Sequence, residues 1–199
     1  MKKISVFAVA FTLVFATACK SDKKEQNTNN ETEVENTETN AVTEQKPYNG
    51  GALWVTLNSK SGSKVKGTVV FETEGNRVTM LASVNGLEPG AHAIHLHEKS
   101  DCSAEDGTSA GGHWNPTGQP HGKWGAEEGY HKGDIGNFTA SENGKATYTF
   151  TTDQWCIGCG DQTKDILGKA IIIHQGTDDF TTQPTGAAGG RISCGGVIQ

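Results

Sequence analysis

The sequence predicts an all-β domain, an eight-stranded Greek-key barrel or sandwich. Three observations carry that prediction. Short runs rich in β-branched residues recur along residues 53–197, turn residues separate them, and no segment sustains a helical period. About eight strands in about 150 residues form one domain with a real core.

The N-terminus stands apart from this pattern. Met1 to Ala18 carries two lysines and then an apolar run broken only by Ser5, Thr12 and Thr17. Such a run is short for a membrane span and has the layout of an export signal. It ends in Ala16-Thr17-Ala18-Cys19, which resembles the lipobox of bacterial lipoproteins, although Ala16 stands where leucine is usual. We therefore expect a signal peptide over 1–18 and lipid on Cys19, with an exported protein held at a membrane, periplasmic or on the cell surface. Lys20 to Pro47 is almost wholly polar and cannot bury enough surface to offset its ordering entropy, so 19–47 is expected to be a disordered tether.

Residues 48–199 make the domain. The strand candidates are Leu53–Leu57, Val65–Phe71, Val78–Val84, Ala91–His97, Phe138–Ala140, Ala146–Phe150, Lys169–His174 and Arg191–Val197. Turn signals lie between them at Glu74-Gly75-Asn76, Glu88-Pro89-Gly90 and Glu142-Asn143-Gly144-Lys145, with Asn143-Gly144 the strongest hairpin signal. Two stretches break the spacing, Glu98–Asp134 and Asp178–Gly190. Long ordered loops in a compact domain are usually functional. The formal net charge of −6 argues against nucleic acid as a partner. Oligomeric state is open, with a homodimer among the expectations.

The chain has 7 histidines, and all but His92 fall into one ordered series with an aspartate. His95 and His97 sit two apart on a strand, so both rings face the same side. With His113 and the strand-ending His174 they form an all-nitrogen set, which suits copper. His113, His121, His131 and Asp134 form a closed three-imidazole, one-carboxylate set of the structural zinc type. These are too many ligands for one tetrahedral ion and enough for two ions sharing one. A lone H-x-H is more often a pair of surface histidines, and a lone strand-end histidine is more often a satisfied core residue. His92 falls on the opposite strand face from His95 and reads as a hydrogen-bonded structural residue.

Five cysteines are present, and with Cys19 lipidated the other four pair evenly in an oxidising compartment. Cys156-Ile157-Gly158-Cys159 could be a redox pair, half of a metal site or a local disulfide. Its strand and glycine-rich flanks favour the local bridge over a thioredoxin-type context. A second zinc site would need two further ligands nearby.

The segments HAIHLHE, SAGGHWNP, HKGDIGN, AIIIH, the pair Asp178-Asp179 and GGRISCG occur in that order. Together they resemble copper–zinc superoxide dismutase, in its bacterial exported form, from about Leu53 to the C-terminus. The resemblance implies dismutation of superoxide anion to dioxygen and hydrogen peroxide. It implies copper on His95, His97, His113 and His174, zinc on His113, His121, His131 and Asp134, and His113 as the bridge and proton carrier. It further implies that Asp178 ties a copper histidine to a zinc histidine, that Arg191 guides the anion, and that Cys102 and Cys194 form a disulfide. Cys156 and Cys159 depart from the family pattern, as does the tethered N-terminus, and the loop between Cys102 and His113 is longer than in eukaryotic members. Two rivals are a copper-binding protein without activity, expected to lack Arg191, Asp178 or a copper histidine, and a zinc-only module, expected to lack the H-x-H.

Overall fold

The computed structural model describes residues 48–199. The export signal, Cys19 and the tether lie outside the described residues.

Eight strands occupy the expected positions, with ends shifted by a few residues: β1 (Leu53–Ser59), β2 (Lys66–Glu74), β3 (Arg77–Asn85), β4 (Gly90–His97), β5 (Gly136–Ala140), β6 (Lys145–Thr152), β7 (Ala170–His174) and β8 (Arg191–Gly196). All pairings are antiparallel, in the order β5-β4-β7-β8-β1-β2-β3-β6. Beyond the strands, the described residues hold one 3-10 turn, Thr108–Ala110, and no α-helix. The two end strands, β5 and β6, come together across a seam, so the sheet forms a nearly closed barrel.

The strongest hairpin signal has an unexpected place in this topology. The Asn143-Gly144 turn forms, with Ser141 N–H donating to Lys145 O at 2.9 Å and Gly144 N–H to Ser141 O at 2.8 Å. The strands it joins form no ladder with each other, because β5 pairs with β4 and β6 with β3. The turn instead pins the barrel seam.

Period-two alternation fills the interior. Leu53, Val55 and Leu57 on β1 and Val78, Met80, Ala82 and Val84 on β3 point inward, with exposed or half-buried residues between them. A fully buried side chain such as Phe71 contributes about 1.5–3 kcal/mol. β4 and β7 break the alternation, since from His92 to His97 and from Ala170 to His174 every residue is buried. Ile94, Leu96, Ile171 and Ile173 join the main core, while Ala170 and Ile172 join a second cluster with Ala110 and Cys194. The unbroken apolar run of β7 thus records two covered faces. The 98–135 loop covers the outer one, and the Cys102–Cys194 disulfide ties that loop to β8 with a Cα–Cα distance of 5.8 Å. A bridge closing so long a segment contributes roughly 2–4 kcal/mol.

Candidate metal centre

The outer face of β4 and β7 carries His95, His97 and His174. In the β4–β7 ladder His95 lies opposite Ile172 and His97 opposite Ala170, and in the β7–β8 ladder a register shift falls between Ile173 and His174. His113 reaches the same place by pairing rather than by chance. β5 ends its pairing with β4 at Gly136, opposite Ile94, and the 98–135 loop takes over the edge of β4 beyond it. Leu96 N–H donates to Gly133 O at 2.9 Å, Trp114 N–H to Leu96 O at 2.8 Å, and Glu98 N–H to Gly112 O at 3.0 Å. These bonds set His113 opposite His97 in an isolated bridge.

Two four-residue groups result, each able to hold a metal ion: His95, His97, His113 and His174, and His113, His121, His131 and Asp134. Within each, the potential ligand atoms lie within 4.8 Å of one another, and all seven residues are buried. His113 belongs to both. Its Nδ1 donates to Asp134 Oδ1 at 2.8 Å, toward the second group. Its Nε2 has no hydrogen-bond partner.

The donor atoms fit metal ions. A buried polar atom without a partner costs free energy, so such atoms call for an explanation. His95 Nδ1, His113 Nε2, His121 Nδ1 and His131 Nδ1 are all of this kind. His121 Nδ1 lies 3.0 Å from Asp134 Oδ2 and His131 Nδ1 lies 3.2 Å from Asp134 Oδ1, close enough for charge pairing but without hydrogen-bond geometry. His97 Nδ1 donates to Gly111 O at 3.0 Å and His174 Nδ1 to Gly189 O at 3.3 Å, which leaves a lone pair on each Nε2. Those two lone pairs face each other at 3.4 Å, an arrangement that a cation between them relieves. In His95, His97, His113, His121 and His174 one ring nitrogen is anchored and the other is left for a metal, as ligation requires.

The two groups differ in charge. Burial lowers the pKa of His97 and His174, and neighbouring imidazoles lower both further. Burial also takes His113 down to about 4, against the pull of Asp134. His121 moves the other way: burial opposes its charge, but the adjacent carboxylates of Asp134 and Asp178 outweigh burial and raise it to about 9. Asp134 and Asp178 resist burial through bonds from these histidines and stay ionised well below the usual carboxylate range.

Asp178 links the groups. Its Oδ2 accepts from His95 Nε2 at 2.8 Å and its Oδ1 from His121 Nε2 at 2.9 Å. Three residues that the sequence did not single out hold this link. Asn137 exchanges two 2.8 Å bonds with the Asp178 backbone, and Gln183 grips the His121 backbone through both ends of its amide, at 2.8 and 2.9 Å. Gly186, at φ +67°, packs so closely that a Cβ there would overlap the Asp178 carboxylate and lie 2.6 Å from His121 Nε2. Nothing in the local sequence pattern marks these amides; only the approach of the 178–190 loop does. Arg191, opposite His174 at the start of β8, donates to Gly107 O and Gly111 O at 2.7 Å each. It thus shares the Gly111 carbonyl with His97. His92 lies off the centre, its ring nitrogens against Glu88 O at 2.9 Å and His174 O at 3.0 Å.

A family model described as copper/zinc superoxide dismutase (SODC) matches residues 65–198. The chain belongs to the copper/zinc superoxide dismutase family. That membership implies copper and zinc as its metals, consistent with the two groups of donors. Among solved structures it is similar to a SOD-like protein from Bacillus subtilis, at 32% identity and a TM-score of 0.65, covering 73% of this chain and 97% of that one. It is also similar to a double mutant of that protein in which a tyrosine and a proline are replaced by histidine, at 34% identity, a TM-score of 0.65 and the same coverage. The superoxide dismutase fold thus agrees with the barrel read from the sequence.

Proposed function

We propose that this chain dismutes superoxide, with copper held by His95, His97, His113 and His174 and zinc by His113, His121, His131 and Asp134. The observation that carries the reading is His113, whose two ring nitrogens face the two groups. Bound copper supplies the one-electron couple by which two superoxide ions and two protons become dioxygen and hydrogen peroxide, and bound zinc supplies a fixed positive charge.

The chain's own residues do the rest. His113 Nε2 can carry a proton toward the reacting anion while Nδ1 stays anchored beside Asp134. Asp178 holds His95 and His121 in the tautomers that leave both Nδ1 atoms free. Arg191 offers a half-buried guanidinium beside the copper group, a fixed charge and donor fork for a small anion.

The rival is a copper-binding protein without activity, and the Bacillus subtilis neighbours are described only as SOD-like. This chain retains Arg191, Asp178 and every copper histidine, which favours the enzyme. A dismutation assay beside a metal count on the loaded protein separates the two. We expect activity with one copper and one zinc per chain, and Arg191→Ala to lower the rate and flatten its ionic-strength dependence with both metals retained. Loaded protein without activity would support the rival; an unchanged Arg191→Ala rate would remove Arg191 from the mechanism. We further propose, from the apolar run and the Ala16-Thr17-Ala18-Cys19 ending, that lipid on Cys19 holds the activity at a membrane surface. Cys19→Ala should then shift the protein from the detergent to the aqueous phase, and unchanged partitioning would contradict it.

A further inference from the structure

The family's chemistry leaves Cys156 and Cys159 unused. They are bonded to each other, with a Cα–Cα distance of 6.0 Å, in the loop between β6 and β7. The structure brings a third group to them that the sequence did not suggest. One atom of the Asp165 carboxylate and the two sulfurs all lie within 4.8 Å of one another.

The loop is built to hold that triangle. Asp165 Oδ1 accepts from Gly158 N–H at 2.9 Å and Leu167 N–H at 3.1 Å, and Oδ2 accepts from Gly160 N–H at 2.8 Å. Two of these donors belong to the cysteine turn itself. Cys156 pairs with the other wall of the loop, its N–H donating to Lys164 O at 2.9 Å and its carbonyl accepting from Ile166 N–H at 3.1 Å. Gly158, at φ +65°, turns tightly against Tyr48. Trp155 and Ile166 anchor both walls in the core. None of these contacts needs the disulfide, so the arrangement should survive its loss. A cavity of about 440 Å³ opens beside the pair, and Cys159 is exposed at its edge.

We propose that Cys156, Cys159 and Asp165 form a redox-gated site for a thiophilic d10 cation, separate from the metal centre. Two thiolates select such ions, and a carboxylate beside them extends the set toward zinc. The gate is the disulfide. A dithiol reductant passes two electrons and two protons to it, the S–S bond breaks into two thiols, and the reductant leaves as its own disulfide. The cation then displaces the two thiol protons. Exposed bridges are the labile ones, whereas Cys194 of the other bridge is fully buried, so the reductant should act at Cys156–Cys159 first.

The test uses the full chain already loaded with copper and zinc. It is treated with a limited amount of dithiothreitol without oxygen, then given zinc(II) or, in a second arm, copper(I). Intact-protein mass spectrometry under non-denaturing conditions counts the metals. We expect one further equivalent after reduction and none before it, in at least one arm, with the resident metals unchanged. Replacing both Cys156 and Cys159 by serine should abolish the extra equivalent, and Asp165→Asn should weaken it by roughly 10-fold or more. The resident metal count of each variant reports its folding. An extra equivalent that never appears, that persists in the double serine variant, or that binds as tightly in Asp165→Asn would overturn the proposal.

Discussion

His95, His97 and His174 stand on β4 and β7, whereas His113, His121, His131 and Asp134 all come from the loop between β4 and β5. The strand-borne rings are placed by a paired ladder whose other face is barrel core. The loop-borne ligands have no core of their own. They are placed by the Asp134 carboxylate, which takes bonds from His113 Nδ1, His131 N–H and Gly122 N–H, and by the edge of β4. On the strands His97 and His174 are held neutral by burial, while in the loop two carboxylates favour charge on His121. One half of the centre is therefore shaped by packing, and the other by electrostatics.

That contrast can be broken most severely at Asp134. Asp134→Ala would leave the buried donors of His113, His131 and Gly122 unpaired and His121 without the carboxylate beside its Nδ1. We expect the metal-free protein to lose about 3–5 kcal/mol in chemical denaturation at pH 7, the range for removing one member of a buried pair. Zinc binding should be lost as well. A loss below about 1 kcal/mol would mean that the loop is held by other contacts.

A smaller effect sharpens the same contrast. His121, raised from 6.5 to about 9, stabilises the metal-free fold fully below pH 6.5, and that contribution fades as the pH rises through about 9. Its proton must leave before Nδ1 and the anchored Nε2 can serve as proposed. Zinc binding at pH 7 should therefore release a proton from His121. Copper binding should release none from His97 or His174, which burial already holds neutral, and only the one proton that His113 gives up on becoming the bridge. Calorimetry in buffers of different ionisation heat measures both. Zinc binding that releases no proton at pH 7 would contradict the charge on His121.

The same two regions differ in how far they could be read from sequence. The strands were legible because alternation, β-branching and turn residues act locally, and H-x-H on a strand fixes two rings on one face. Their ladder partners were less so, as the Asn143-Gly144 turn shows: a tight turn formed, yet its strands lie at opposite ends of the sheet. In the loop, residue type pointed to metal chemistry, but the supports did not announce themselves. Asn137, Gln183 and Asp165 act by bonding backbone groups of distant or looped segments, and the Gly111 and Gly189 carbonyls that orient His97 and His174 carry no side-chain signal at all. Such contacts exist only once the loops have docked.

The central claim is that one imidazole joins the two halves. Crystals of copper- and zinc-loaded protein, measured on both sides of the copper and zinc absorption edges, locate each metal independently. The account predicts copper on the Nε2 side of His113 with His95, His97 and His174 around it, and zinc on the Nδ1 side at about 2.0–2.1 Å with His121, His131 and Asp134. A single metal per chain, or two metals of which either lies away from His113, would contradict it.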